Sequence, residues 1–170
     1  MGKLVQVATE TVTSPVAYVD LIGTTTDDVY MIAFNNVQPA SDATQLICRV
    51  LASSSPDTSS NYDRAWKSYT ATSTFGNQYG VNESFTYISG GQAGTGTSET
   101  NQGILYLYNF NDTSEYSFVS VEGTNLNYNQ VLVGIMGGWV HTVNQSCNGL
   151  RMFFASGNIA SGTFTLYKVV

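Results

Sequence analysis

The feature that most constrains the fold is the recurrence of short runs in which apolar and polar residues alternate. The runs recur about every ten residues, with turn-forming residues between them. Successive side chains of a strand point to opposite faces, so alternation with a period of two indicates strands with one buried face. No 3.6-residue helical period persists over three turns. The predicted strands cover 3–12, 15–22, 29–37, 45–53, 62–70, 83–89, 103–110, 115–122, 130–141, 149–155 and 162–169.

This number of short strands predicts an all-β fold of about 8–11 strands. Antiparallel strands in this number usually form two packed sheets, so we expect an antiparallel β-sandwich of jelly-roll or related Greek-key topology. The best helix candidate is Asp57–Lys67, whose Ser, Asn and aromatic residues favour helix poorly, so no helix longer than two turns is expected. Residues 1–170 are expected to form one domain, with Ser89–Ser98 as a glycine-rich surface loop.

The charge content excludes several classes of function. Only 11% of the residues are charged and the net charge is −6, with six Lys and Arg residues in all. Nucleic-acid binding needs a basic stripe that so few cations do not supply. No run approaches 18 apolar residues, so no membrane-spanning segment is expected, and the N-terminus lacks the apolar region of a signal peptide.

The sequence offers little material for catalysis or metal binding. His141 is the only histidine, and no C-x-x-C motif is present. Cys48 shares a strand face with apolar residues and is predicted in the core, whereas Cys147 precedes a turn, so we expect two free thiols. We therefore predict a protein without enzymatic activity or cofactor. A weak loop-bound cation near Asp20 and 27–28 stays open.

Two predicted strands are apolar on both alternating faces: Val29–Phe34 and Ile104–Tyr108. Either such a strand lies centrally, with loops over its second face, or that face packs against another subunit. Tyrosine suits interfaces because it combines a large apolar ring with a polar hydroxyl. The candidate subunit-interface residues are Tyr30, Phe34, Tyr106 and Tyr108.

A cluster of aromatic residues lies between residues 62 and 79, where part of the sequence lacks clean alternation. Aromatic rings with amides nearby can stack on sugar rings or anchor a neighbouring protein. Alternatively, they cover one open end of the sandwich. The candidate contacts for a glycan or a partner are Trp66, Tyr69 and Tyr79.

The C-terminal segment Ser161–Val170 alternates clearly, with Phe164 and Leu166 on one face and threonines on the other. It resembles the closing strand of small bacteriophage virion proteins found in tail-fibre heads and capsid appendages. The segments 1–9, 27–31, 94–99 and 104–111 are similar to small virion-associated proteins of marine bacteriophages, including those of cyanobacteria. Lys168 stands where such proteins often carry glycine.

The resemblance implies a non-enzymatic structural protein on the surface of a phage particle, as a capsid decoration or a tail or fibre component. It also implies contacts with other virion proteins and a homo-oligomer, with three-fold association the form such appendages often take. It assigns no functional residues. The alternative hypothesis is a carbohydrate-binding adhesin that recognises host surface glycans through the aromatic cluster.

Overall fold

A computed structural model of the chain describes residues 2–72 and 75–170, which form thirteen strands and no helix. The absence of helix in this part of the chain agrees with the missing 3.6-residue period. The strands are β1 (Leu4–Val12), β2 (Val19–Ile22), β3 (Tyr30–Pro39), β4 (Leu46–Ala52), β5 (Ser55–Pro56), β6 (Tyr62–Thr70), β7 (Gly76–Glu83), β8 (Thr86–Tyr87), β9 (Asn101–Tyr108), β10 (Ser117–Leu126), β11 (Leu132–His141), β12 (Gly149–Phe154) and β13 (Ile159–Val169).

The strands form two antiparallel sheets of unequal width. The larger sheet has eight strands in the order β1-β13-β3-β9-β10-β11-β6-β7. The smaller sheet has the order β2-β12-β4-β5, and β8 also pairs with β4. The all-β fold of two antiparallel sheets is the predicted class.

The core lies between the inner faces of the two sheets. It contains alternate residues of both, such as Ile32, Leu105 and Phe164 from the larger sheet and Leu46 and Leu150 from the smaller. Each of these side chains is fully buried. Complete burial of a Leu, Ile or Phe side chain contributes about 1.5–3 kcal/mol. The alternation seen in the sequence therefore identifies the layer that holds the sandwich together.

The C-terminal strand β13 lies between β1 and β3 and pairs with both. Its inward residues Phe164 and Leu166 are fully buried, as the alternation predicted. Thr165 points the other way, and its hydroxyl accepts a hydrogen bond from the Thr9 hydroxyl at 3.2 Å. β13 is therefore an internal strand of the larger sheet, with a neighbour on each side.

Two strands were not predicted, the two-residue β5 and the longer β7, and the predicted strand 83–89 was too long. β7 (Gly76–Glu83) is mostly exposed, so its sequence lacks the apolar alternation of a strand with one buried face. Its pairing with β6 as the edge of the larger sheet gives it extended structure. The predicted strand 83–89 shrinks to the two residues of β8. By contrast, β6 has the predicted bounds 62–70.

Candidate interaction surface

The outer face of the larger sheet, over β9, β10, β11, β6 and β7, is the strongest candidate for a functional site. Inward residues of these strands, such as Leu105, Val121 and Ile135, belong to the core. The residues between them therefore point away from the smaller sheet. We call this face the outer surface. Its rows, read across paired strands, are Ile104–Glu122–Met136–Lys67, Tyr106–Ser120–Gly138–Ala65–Tyr79 and Tyr108–Phe118–Val140–Asp63.

Apolar side chains dominate the outer surface. Met136 is 57% exposed, Phe118 45% and Tyr108 37%, while Ile104 and Tyr106 are half-buried. Single exposed apolar residues are ordinary on a protein surface, whereas a contiguous set of them usually marks an interaction site. Here they are neighbours by strand register, because Tyr106 and Tyr108 on β9 stand beside Ser120 and Phe118 on β10.

A groove of about 510 Å³ crosses the outer surface. Gly138 and Ala65 form its floor, Tyr108 and Phe118 line one side, and Val81 lines the other. A Cβ added at Gly138 would lie 2.7 Å from the Val119 carbonyl oxygen, too close for a side chain without movement of the backbone. The glycine therefore keeps the floor low, and the groove offers an apolar depression to whatever lies over this face.

The prediction that Tyr30 and Phe34 lie on an interface surface is wrong. Tyr30 is 1% exposed and Phe34 2%, and both belong to the core of the chain itself. The Tyr30 hydroxyl oxygen accepts hydrogen bonds from the backbone N–H groups of Thr25 and Thr26, each at 3.2 Å. These two residues face the smaller sheet, while Tyr106 and Tyr108 lie on the outer surface, so the four candidates do not share a face.

The predicted aromatic cluster divides in the same way. Trp66 is 8% exposed and packs edge-on against Tyr87 of the smaller sheet, with ring centroids 5.8 Å apart, so its prediction as a glycan contact is wrong. Tyr69 lies on the outer surface, with its ring over Gly134 of the neighbouring strand. Tyr79 is 81% exposed. The alternation of side chains along β6 could have predicted this division, because Trp66 and Tyr69 are three residues apart and therefore point to opposite faces of the strand.

Phe118, Met136 and Val140 also lie on the outer surface and were not among the predicted site residues. The alternation of β10 contained the signal for Phe118, because buried Ser117, Val119 and Val121 alternate with more exposed residues. For β11 the signal is weaker. Its sequence holds glycine at 134, 137 and 138, which obscures the alternation.

The only histidine, at the end of β11, is buried. His141 is 0% exposed, and its Nε2 lies 2.7 Å from Oδ2 of Asp57. Burial by itself raises the pKa of the Asp57 carboxyl, but hydrogen bonds from the Ser59 N–H, His141 and Asn61 outweigh it and lower the pKa to about 2. Among the residues that the structure describes, Nδ1 of His141 has no hydrogen-bond partner. A base buried in this way does not reach a substrate at the surface.

Two of the three acidic residues near the possible loop-bound cation, Asp20 and Asp28, are engaged in ion pairs. Asp20 accepts two hydrogen bonds of 2.7 Å from Arg151, and Asp28 lies 2.5 Å from the Lys168 ammonium nitrogen. Among residues 2–72 and 75–170, no three His, Cys, Asp or Glu side chains lie together as a metal site. Within the same ranges, no helix is long and apolar enough to cross a membrane.

Both cysteines are free thiols, as predicted. Cys48 lies in the core, and burial raises the pKa of its thiol. Cys147 is buried as well, although it precedes a turn, and burial raises its pKa in the same direction. Thiols with raised pKa values form little thiolate and react slowly.

Comparison with known proteins adds no relative: no family model matches the chain, and neither a curated protein nor a solved structure is significantly similar to it.

Proposed function

We propose that this protein is a non-enzymatic structural component of a bacteriophage particle, a capsid decoration or a tail or fibre component, that assembles through the outer surface. The observation that carries the proposal is the contiguous apolar face around Tyr106, Phe118 and Met136. A free monomer seldom exposes such a face, because covering it against a partner is favourable. The resemblance of the C-terminal strand to phage appendage proteins is the reason for proposing a phage particle as the location.

A jelly-roll topology is part of the proposal. The strands β1, β13, β3 and β9 are successive neighbours in the larger sheet, and β2, β12, β4 and β8 are successive neighbours in the smaller one. The chain thus alternates between the sheets, and its last strand returns between the first and third. This order supports a jelly roll, in which eight strands form two Greek keys. The pairs β6–β7 and β10–β11 then widen one sheet as additional hairpins.

Jelly rolls occur in viral capsid proteins and in lectins, so this topology fits both the proposed role and a carbohydrate-binding role. The low charge content is more informative. With 11% charged residues, the chain solvates much of its surface through hydroxyl and amide groups. Such a surface suits a protein that works against close neighbours, because fewer charges lose their hydration on assembly.

The buried state of His141 supports the non-enzymatic part of the proposal. General base catalysis requires the base within hydrogen-bond reach of a substrate proton. The His141 ring is enclosed by the core, and its Nε2 is already bound to Asp57. The pair stabilises the end of the sandwich instead.

Localisation on purified particles tests the proposal. Particles from cells that carry the gene are banded by density, and their proteins are quantified by mass spectrometry. We expect this chain at a fixed ratio to the major capsid or tail protein, and imaging of the particle to place it on the surface. Its absence from banded particles, with the chain abundant in the remaining lysate, contradicts the proposal.

A carbohydrate-binding adhesin remains the second candidate, and one observation favours it. Phe75 is 73% exposed and Tyr79 81%, and the amides of Asn77 and Gln78 beside them are also exposed. Rings and amides together offer stacking and hydrogen bonds to a sugar. Under this hypothesis, host polysaccharide raises the melting temperature of the protein, and Tyr79→Ala removes the effect. Tyr116→Ala, at another exposed tyrosine, is the matched control and retains it.

A further inference from the structure

Two charged side chains on the outer surface lie in one row on either side of Met136. Glu122 on β10 pairs in register with Met136 on β11, which in turn pairs with Lys67 on β6. All three side chains are exposed. Neighbouring strands lie about 4.8 Å apart, so the charged residues are about 10 Å from each other. In the part of the chain that the structure describes, their side chains form no ion pair with each other.

Neither charge has an ion-pair partner among the described residues, although other cations of the chain do. Arg64 pairs with Glu83, Arg151 with Asp20 and Lys168 with Asp28. A chain with six Lys and Arg residues places one of them here, on a face that is otherwise mostly apolar. An unpaired Lys and an unpaired Glu at equal distances from one methionine are complementary to a second copy of the same row.

We propose that the outer surface binds a second copy of this chain face to face, about a two-fold axis that runs parallel to β11 through Met136. This names the partner for the surface of the proposed function and rests on that surface being the one used in assembly. Rotation about this axis exchanges the positions of β10 and β6. It therefore places Lys67 over Glu122 of the partner subunit and Glu122 over Lys67 of the partner subunit.

The charges of Lys67 and Glu122 favour this axis over a two-fold axis along their own row. A two-fold axis along the row, perpendicular to the strands, would place like charges over one another, which is strongly unfavourable in a desolvated contact. The axis along β11 also sets Tyr106 against Tyr79 of the partner subunit, because β9 and β7 exchange positions. Gly138 then opposes its own counterpart, so the floors of the two grooves face each other. An isologous contact of this kind closes at two copies.

The available area is sufficient for a modest dimer. Five strands about 4.8 Å apart and three rows of side chains about 6.8 Å apart outline a face of roughly 500 Å² per copy. Two such faces give roughly 1,000 Å², near the lower limit for a specific interface. We therefore expect a dissociation constant in the micromolar range. The three-fold association that the resemblance implies needs a different contact, so the two symmetries are distinguishable.

The test is sedimentation equilibrium of the isolated full-length chain from about 1 to 500 μM. Wild type is expected to dimerise. Lys67→Glu places a carboxylate against Glu122 of the partner subunit, and we expect dimerisation to weaken about 10- to 100-fold, with Glu122→Lys giving a similar loss. The double variant K67E/E122K exchanges the charges and restores the wild-type dissociation constant to within about threefold. Lys3→Glu, an exposed lysine outside the surface, is the control and changes nothing.

The axis is tested by cross-linking. Met136→Cys places one thiol on the axis in each copy, with the two backbones about 10 Å apart as in packed sheets. Because that separation exceeds the reach of a disulfide, a short-spacer bis-maleimide is used, and it is expected to give a covalent dimer on a denaturing gel. Thr9→Cys, in the same row but on the far edge strand, gives none. Both variants are compared by circular dichroism and melting temperature, since Met136 is 57% exposed and its replacement leaves the core intact.

These experiments test the face-to-face dimer independently of the proposed role on a phage particle. A wild-type monomer at 500 μM, a trimer, or single charge reversals that leave dimerisation unchanged overturns the face-to-face dimer. Failure of the double variant to recover while its single parents are weakened also overturns the Lys67–Glu122 pairing. None of these results removes the protein from the particle, which mass spectrometry measures independently. Conversely, a confirmed dimer that is absent from particles contradicts only the proposed function.

Discussion

His141 and Asp57 are 84 residues apart in sequence, yet their side chains meet at 2.7 Å at one end of the sandwich. The contact joins the end of β11 to the loop after β5. The adjacent backbone strengthens this junction, because the Thr142 N–H donates to the Asn61 carbonyl oxygen at 2.8 Å. Tyr62 completes it by donating its hydroxyl proton to the Asp57 carbonyl oxygen at 2.9 Å. The loop is thus held to the larger sheet by a polar cluster inside an apolar core.

This junction predicts a loss of stability in acid. The folded-state pKa of Asp57 is about 2, below the ordinary value of 3.8. The unfolded chain therefore binds the proton more readily, so the stability from Asp57 is fully present above about pH 4 and is lost as the pH falls towards 2. Asp57→Asn removes this component. We expect this substitution to lower the unfolding free energy at pH 7 by about 1 kcal/mol, allowing for solvent screening of the carboxylate.

Urea unfolding at pH 7 and at pH 2.5 measures the effect. We expect wild type to have a higher unfolding free energy than Asp57→Asn at pH 7, and we expect this difference to be smaller at pH 2.5. Asp27→Asn, at an exposed loop aspartate, is the matched control. An equal difference at both pH values contradicts the assignment of the pH dependence to Asp57.

Two free thiols per chain are expected once the protein is denatured without reductant, because neither cysteine is bonded. In the native state both are buried, and their raised pKa values slow reaction further. Titration with a thiol reagent before and after denaturation checks both statements. If no thiol appears after denaturation, the cysteines are joined in a disulfide.

The C-terminal strand is predicted to be essential for folding. Phe164→Ala removes a fully buried ring and is expected to cost about 3–5 kcal/mol, a large share of the 5–15 kcal/mol that stabilises a typical domain. A chain that ends at Ser161 loses most of the strand between β1 and β3 and is expected not to fold. Tyr167→Ala, half-buried on the same strand, is the milder control. A truncated chain that still melts cooperatively shows that β13 is dispensable.

Trp66 and Tyr79 are predicted to behave differently on replacement, although both were candidates for the same contact. Trp66→Ala opens a cavity beside Tyr87 and is expected to cost about 3–5 kcal/mol. Tyr79→Ala changes an exposed ring and is expected to alter the unfolding free energy by about 0.5 kcal/mol or less. Chemical unfolding of the two variants checks this. Similar costs for both contradict the division of the cluster between the two faces.

The positions of most strands could be predicted because alternation is a local property of the sequence. β6 has its predicted bounds, and the burial of Phe164 and Leu166 follows from the alternation of β13. β7 could not be predicted in this way. Its residues are mostly exposed, and only hydrogen bonds to β6 keep it extended.

The sequence by itself determined that the chain is all-β and that each strand divides its residues between two faces. Only the tertiary structure decided which face is covered. Phe34 and Tyr106 lie in the segments 29–34 and 104–108, which are apolar on both alternating faces, yet one is in the core and the other on the outer surface. The reason is that burial depends on the other sheet, whose narrower width and pairing order arise from contacts between distant residues. Period-two alternation indicates that a strand has two different faces, but the position of the second sheet determines which face is covered.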